Sequence, residues 1–351
     1  MYDFGKHWHI YNLAGAFKAN PGNSQESNSR CTRFQGRIIN NTWVIDADKM
    51  DAKSIYESVI QELERHISGN KDILKLMFIS LVADGHALLE GVPGVAKTTM
   101  TKALASAIDA DFKRVQCTAD LDISDIIGTT FMDSERNVKL KKGPVFTNIL
   151  LADELNRAPV KTMSGFLEVL EERRVTVGGE DMSLPKPFIA FATQNPLTIE
   201  GTTPIPKVLA DRFLMRISVG YPTESGEEEM IRIKEKEEHI DFKKVISKDE
   251  ILQLQQQAKS VKLPDDIVKF ITKMVEATRE DIHVVMGGSP RSDIAFMNTG
   301  KAKALIEGRD EVNKEDILFL AKPILSHRLV VRSTGGIGVN GVIDGIIATL
   351  S

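Results

Sequence analysis

Cysteine is almost missing from this chain: Cys31 and Cys117 are the two in 351 residues. Two thiols supply neither a disulfide framework nor a four-cysteine zinc site. Long apolar runs are missing too. The longest, such as 188–193, fall far short of the roughly 18 residues a membrane span needs. The opening MYDFGKHWHI has no basic stretch leading into an apolar core, so it does not read as a signal peptide. Nor is there an excess of one charge. Forty-five Lys and Arg stand against 49 Asp and Glu, a formal charge of −4, which argues against a nucleic-acid coat or a polybasic membrane binder. What remains is a soluble globular chain, expected in the reducing cytoplasm. At 42% hydrophobic residues it can bury a real core, and its length allows two or three domains.

The first 49 residues differ from the rest. They hold both tryptophans, Trp8 and Trp43, two of the four tyrosines, and the aperiodic polar run NPGNSQESNSR at 20–30. Asn, Ser, Gly and Pro clustered without apolar partners predict a flexible extension over 1–49. The regular pattern begins just past Met50, which reads as the natural start; a small genuine N-terminal arm is the alternative. Ile55, Val59, Ile60, Leu63 and Ile67 fall at helical spacing, with Ser68-Gly69-Asn70 ending that helix.

From residue 71 strand and helix alternate. Apolar runs at 87–90, 112–116, 149–152, 188–193 and 215–220 predict buried strands, with helical patterns between them at 97–108 and 160–170. That alternation means a parallel sheet with helices on both faces. After about Tyr221 strands are no longer expected. Helices are predicted at 225–239, 248–259, 265–279, 291–307 and 313–328, one opened by the capping box Ser247-Lys-Asp-Glu250. The expected fold is thus an α/β core over 50–223 followed by a small all-α domain over 224–351. The helix at 224–239, with seven Glu against three Lys and Arg, reads as a solvated face.

The sharpest chemical signal is Gly91-Val92-Pro93-Gly94-Val95-Ala96-Lys97-Thr98-Thr99, between the first strand and a helix. A phosphate-binding loop needs a tight chain that turns N–H groups inward, a Lys for the β- and γ-phosphates, and a hydroxyl for Mg²⁺ at a helix N-terminus. Ala96 stands where the usual pattern has a second glycine, and its methyl is small enough to be tolerated. Fifty-five residues past Thr98, an apolar strand delivers Asp153 and Glu154 at the sheet edge where ligands bind. Asp153 suits the Mg²⁺ shell together with Thr98, and Glu154 suits activation of an attacking water. Another strand ends in Thr193-Gln-Asn195-Pro196, whose neutral amide can orient water and sense the γ-phosphate, though Asn-Pro is also a plain turn. Arg212 precedes the last strand, and Gly287-Gly-Ser-Pro-Arg291 opens a helix in the all-α part. Alone, either arginine reads as a surface ion-pair residue.

Taken in order, these blocks resemble the MoxR family of AAA+ ATPases from about Lys53 to Val331. They are GVPGVAKT (91–98), QCTADLDISDIIGT (116–129), KKGPVFTNILLADELNRAPVKT (141–162), EERRVTVGGE (171–180), PFIAFATQNP (187–196), DRF (211–213), GGSPR (287–291) and SHRLVV (326–331). The resemblance implies a P-loop AAA+ core, a parallel sheet flanked by helices, followed by a small all-α lid. It implies an ATP- and Mg²⁺-dependent homo-oligomeric ring, commonly a hexamer, that remodels or activates client proteins, often ones carrying a von Willebrand factor A domain. On its motifs Lys97 and Thr98 are Walker A residues, and Asp153 and Glu154 the Walker B pair. Asn195 is sensor 1, Arg212 the finger that reaches a neighbour's nucleotide, and Arg291 sensor 2 on the lid. Ala96 is usual in the family. Hairpins at 129–145 and 174–184 are expected to face the pore or a client, and Val175-Thr-Val-Gly-Gly reads independently as a hairpin arm. The segment before the finger departs from the family pattern, with Pro206-Lys-Val-Leu-Ala210 and Thr203, which touches the details of subunit contact.

Two rival functions share this core: the motor subunit of a metal-chelatase-like complex, and an ATP-gated binding scaffold with little turnover. Glu154 and Arg212 speak against the scaffold. A nucleic-acid motor is disfavoured by the acidic balance and the lack of an aromatic-plus-basic stripe.

Overall fold

A computed structural model describes residues 36–39, 42–45, 51–65, 67, 69–196, 201–236, 242–332 and 336–350. The chain divides into two compact units, Met1–Lys49 and Met50–Ser351. In the first, Gly36–Ile39 and Thr42–Ile45 pair as antiparallel strands, with Gly36 opposite Ile45. The run at 20–30 lies outside the described residues, and the paired strands are regular structure that the expectation of a flexible 1–49 did not include.

The second unit is built on a five-stranded parallel sheet. Its strands are β1 (Ala87–Gly91), β2 (Phe112–Gln116), β3 (Ile149–Asp153), β4 (Ile189–Gln194) and β5 (Met215–Val219), in the spatial order β5-β1-β4-β3-β2. Every pairing is parallel; Phe191 lies opposite Ala87, and Ile149 opposite both Ile189 and Phe112. Parallel neighbours need crossovers, and helices supply them on both faces. Side chains alternate along each strand, so Ile149 and Leu151 join one core while Leu150 and Ala152 join the other. The first core also takes in helices α1 (Ala52–Glu64), α2 (Lys71–Val82) and α3 (Lys97–Ala107). The second takes in the short α4 (Ile123–Ile127) and Phe166, Val169 and Leu170 of α5 (Val160–Glu172). Phe166, Phe188, Phe191 and Phe213 are fully buried, each contributing about 1.5–3 kcal/mol of transfer free energy.

Beyond α6 (Lys207–Ala210) and β5 the chain is mainly helical: α7 (Glu224–Lys236), α8 (Lys248–Ser260), α9 (Asp265–Glu280), α10 (Pro290–Ile306), α11 (Lys314–Leu325) and α12 (Val339–Leu350). Buried residues of α8 to α12 are continuous with the core above α1–α3, so this part packs on that sheet face. Ser247 and Glu250 form the expected capping box, with Ser247 N–H donating to Glu250 Oε2 at 2.7 Å.

The structure corrects three expectations. The helical part is not purely α: Val284–Met286 pairs antiparallel with Val330–Val331. The first helix stops at Glu64, although Ile67 remains buried. A final helix, α12, forms despite Gly341 and Gly345 because Val342, Ile343 and Ile346 are buried against the core. The two expected hairpins are present. Gly128–Met132 pairs with Val138–Lys142, leaving Phe131, Met132 and Val138 exposed. Arg174–Val177 pairs with Glu180–Ser183 through Gly178 and Gly179, both at positive φ as a two-residue primed turn requires. Among the described residues no helix is long and apolar enough to cross a membrane.

Candidate functional site: a phosphate-loop cavity and a separate arginine pair

The carboxyl ends of β1, β3 and β4 meet at one edge of the sheet. Gly91 ends β1 where a Cβ would stand 2.3 Å from Val219 O, so only glycine lets β5 run this close. Gly94 turns the loop at φ +87°. Ala96, at the N-cap of α3, holds φ 60° and ψ 20°. A left-handed alanine costs about 1–2 kcal/mol, so the loop tolerates its methyl at the expense of local strain.

Lys97 opens α3 half-buried, its Nζ donating to Gly91 O at 2.6 Å and Val92 O at 2.8 Å. Burial lowers its pKa, with Asp153 and Glu154 pulling the other way. Beside it the Thr98 hydroxyl donates to Asp153 Oδ2 at 3.4 Å. Asp153 is buried, and its Oδ1 accepts from the Thr193 hydroxyl at 2.6 Å. Thr193 in turn accepts from Glu154 N–H at 2.8 Å, locking β3 to β4. Glu154 takes φ 56°, which swings the chain off β3 into the single turn Leu155–Arg157. Its carboxylate accepts from Gln116 Nε2 at 3.1 Å and pairs with Arg157 Nε at 3.0 Å.

These groups enclose a cavity of about 470 Å³, lined by residues 93–99, Arg114, Gln116, Asp153, Glu154, Thr193, Gln194 and Asn195. The volume lies within the range of small-molecule sites, roughly 300–1,000 Å³. The donor set fits Mg²⁺, a hard cation usually held by one or two carboxylates plus phosphates and water. Thr98 and Asp153 supply hard oxygens within reach of each other, and no cluster of three or more His, Cys, Asp or Glu exists among the described residues. Cys117 is buried, and burial first, then Asp153 and Glu154, push its thiol up to about 12.

The residues expected to carry chemistry besides the loop backbone and Lys97 fall into two groups. Thr98, Asp153, Glu154 and Asn195 share the cavity with Lys97. Arg212 and Arg291 line a second cavity, of about 260 Å³, with Glu171, Asp211 and Arg328. The Glu171 carboxylate takes Arg212 on Oε2 at 2.7 Å and Arg291 on Oε1 at 2.8 Å, and both hydrogen bonds lower its pKa. Arg291 therefore lines the second cavity and not the one that holds Lys97. Its helix α10 starts over the end of α5 instead. Asp211 ties the two parts of the fold together there. It accepts from Ser289 Oγ at 3.1 Å and from the buried Arg328 Nε at 3.0 Å. Arg328 also donates to Phe213 O at 2.8 Å, and burial lowers its pKa to about 10 despite Asp211.

Sequence reasoning missed Arg114, Gln116 and Glu171. The signal for the first two was a polar pair at i and i+2 ending FKRVQ, which places both side chains on one face of an edge strand.

The fold has counterparts among known proteins. Residues 86–215 match the ATPase family associated with various cellular activities (AAA), and residues 276–337 match the AAA lid domain. The uncharacterized protein YeaC of Bacillus subtilis is 41% identical over 283 residues, covering 80% of this chain and 88% of that one. Chaperone MoxR1 of Mycobacterium tuberculosis is 38% identical over 285 residues, covering 78% of this chain and 75% of that one. A crystal structure from Cytophaga hutchinsonii superposes with a TM-score of 0.79 at 36% identity, covering 85% of this chain and 94% of that one. Loop, acidic pair, sheet order, lid and relatives agree, and the chain belongs to the MoxR family of AAA+ ATPases.

Proposed function

We propose that this chain hydrolyses ATP with Mg²⁺ at the interfaces of a homo-oligomeric cytoplasmic ring, most simply a hexamer, and uses the cycle to remodel or activate a client protein. The observation that carries the reading is the division of the machinery. The cavity that holds Lys97, Asp153, Glu154 and Asn195 includes neither Arg212 nor Arg291, and those two arginines are paired on one carboxylate elsewhere. A finger arginine in this position serves a neighbour's site.

Within the cavity, Lys97 exchanges the carbonyls of Gly91 and Val92 for β- and γ-phosphate oxygens, and the loop 91–99 wraps the phosphates with its N–H groups. Thr98 and Asp153 would hold Mg²⁺, whose charge would offset that of the phosphates. Glu154 accepts a proton from the attacking water, and Asn195 orients that water. Arg212, with Arg291 beside it, meets negative charge on the adjacent subunit's phosphates. Hairpins 128–142 and 174–183 offer the client-facing surface.

Phosphate release tests the reaction: Mg²⁺-dependent turnover in the wild type, abolished by Glu154→Gln with nucleotide binding retained, supports it. Negligible wild-type turnover at saturating ATP would favour a nucleotide-gated scaffold. A pull-down with ATP-locked Glu154→Gln then identifies the client, for which the family resemblance suggests a von Willebrand factor A domain protein. Recovery of a chelatase partner instead would favour the metal-chelatase reading.

A further inference from the structure

A cation already sits on the metal-facing oxygen of Asp153. Arg114, on the edge strand β2, donates to Asp153 Oδ2 from Nε at 2.9 Å and from a terminal nitrogen at 2.6 Å. Thr98 Oγ1 lies 3.4 Å from that same oxygen. Oδ1 is occupied by the Thr193 hydroxyl at 2.6 Å. A divalent ion bridging Thr98 and Asp153 needs a lone pair of Oδ2, at roughly 2.0–2.1 Å for Mg²⁺. The guanidinium places two hydrogen bonds on that oxygen, so the two cations would compete for it.

The exposure of the pair is unequal, although Arg114 also donates to Gln116 Oε1. The Arg114 side chain is 47% exposed, whereas that of Asp153 is 10% exposed and pinned by Thr193. Arg114 is therefore the partner that yields, and it lines the same cavity, so it can swing toward incoming phosphates without leaving the site.

We propose that Arg114 is a resident counter-cation of Asp153: it keeps the buried carboxylate paired while the site is metal-free, and it must be displaced before a divalent ion binds. The consequence is ordered loading. A bare ion competes with the guanidinium and binds poorly. An ion arriving with nucleotide brings phosphate oxygens that complete its shell and give Arg114 a new partner. The inference rests on Thr98 and Asp153 being the metal-holding pair.

Mn²⁺ binding to the full-length chain, read from loss of the free-ion electron paramagnetic resonance signal, tests this with and without ADP. Without nucleotide, Arg114→Gln should bind Mn²⁺ about tenfold tighter than wild type, since no charge-assisted contact has to be broken. With ADP the gap should narrow. Arg114→Lys keeps the charge but not the fork, and should stay near wild type, which also controls for folding. Unchanged or weaker Mn²⁺ binding by Arg114→Gln without nucleotide would overturn the proposal. A gap of equal size with ADP would overturn it too, because that indicates repulsion at a distance and not displacement. Asp153→Asn should lose Mn²⁺ in both conditions. If it binds like wild type, the metal assignment itself is wrong and the counter-cation falls with it.

Discussion

His86 lies just ahead of β1, buried with only 4% of its surface exposed. Its Nε2–H donates to Leu170 O at 2.9 Å, and its Nδ1 accepts from Ala190 N–H at 3.0 Å. That pattern fixes the neutral tautomer and stitches α5 to β4. Burial, then the charge of Arg173, lower its pKa from 6.5 to about 3. Protonation would leave Nδ1–H pointing at another N–H. The folded pKa lies below the unfolded one, so the stabilisation is present above pH 6.5 and is lost as pH falls toward the folded value. Between pH 7.5 and 5 the unfolded chain takes up nearly one proton here and the folded chain almost none, a loss of about 2 kcal/mol. His327, buried and bonded to Phe213 O at 3.0 Å, is shifted the same way, mainly by burial, and adds to the loss. Urea unfolding at both pH values, in wild type and His86→Gln, isolates the effect. The substitution has its own packing penalty, but the difference between the two pH values should shrink by about 2 kcal/mol. An equal pH dependence in the two proteins would refute the assignment of His86 as a buried neutral group.

Two further changes probe the site and its frame. Lys97→Ala removes a cation from the phosphate cradle, so ATP affinity by calorimetry should fall at least about tenfold, or 1.4 kcal/mol; unchanged affinity would mean the nucleotide binds elsewhere. Asp211→Ala strips the buried Arg328 of its carboxylate and frees Ser289, so unfolding free energy should fall by about 3 kcal/mol; a loss under about 1 kcal/mol would mean that the backbone carbonyls alone satisfy Arg328.

The sheet was legible mainly because its inner strands are short apolar runs closed by polar residues, and β3 is buried along its whole length. The cavity was legible for a related reason. Asp153 and Asn195 stand at strand ends, and Lys97 with Thr98 at the start of the helix that follows β1, where sequence position sets spatial position. Arg114 and Gln116 escaped notice because an edge strand carries polar residues for many reasons, and only its neighbour β3 shows what they touch. The placement of Arg291 beside Arg212 depends on where α10 lands on α5, a tertiary contact with no local signature. α2 is buried on nearly every side, so it lacks an amphipathic period. The ribbon joining Val284 to Val331 pairs segments too short and too distant in sequence to be read from either one.

The central claim is that each ATP site is completed by the next subunit, and mixed assemblies test it most directly. Arg212→Ala and Glu154→Gln should each bind nucleotide and hydrolyse it poorly, a finger arginine being worth about 10³–10⁵ in rate. They fail on opposite sides of one interface. In a mixed ring, some Arg212→Ala subunits keep Glu154 and receive Arg212 from a Glu154→Gln neighbour. After dissociation and reassembly, the mixture should therefore hydrolyse ATP measurably faster than either variant alone. If gel filtration confirms mixed rings and no mixture exceeds the pure variants, Arg212 serves only its own subunit and the shared-site account is wrong.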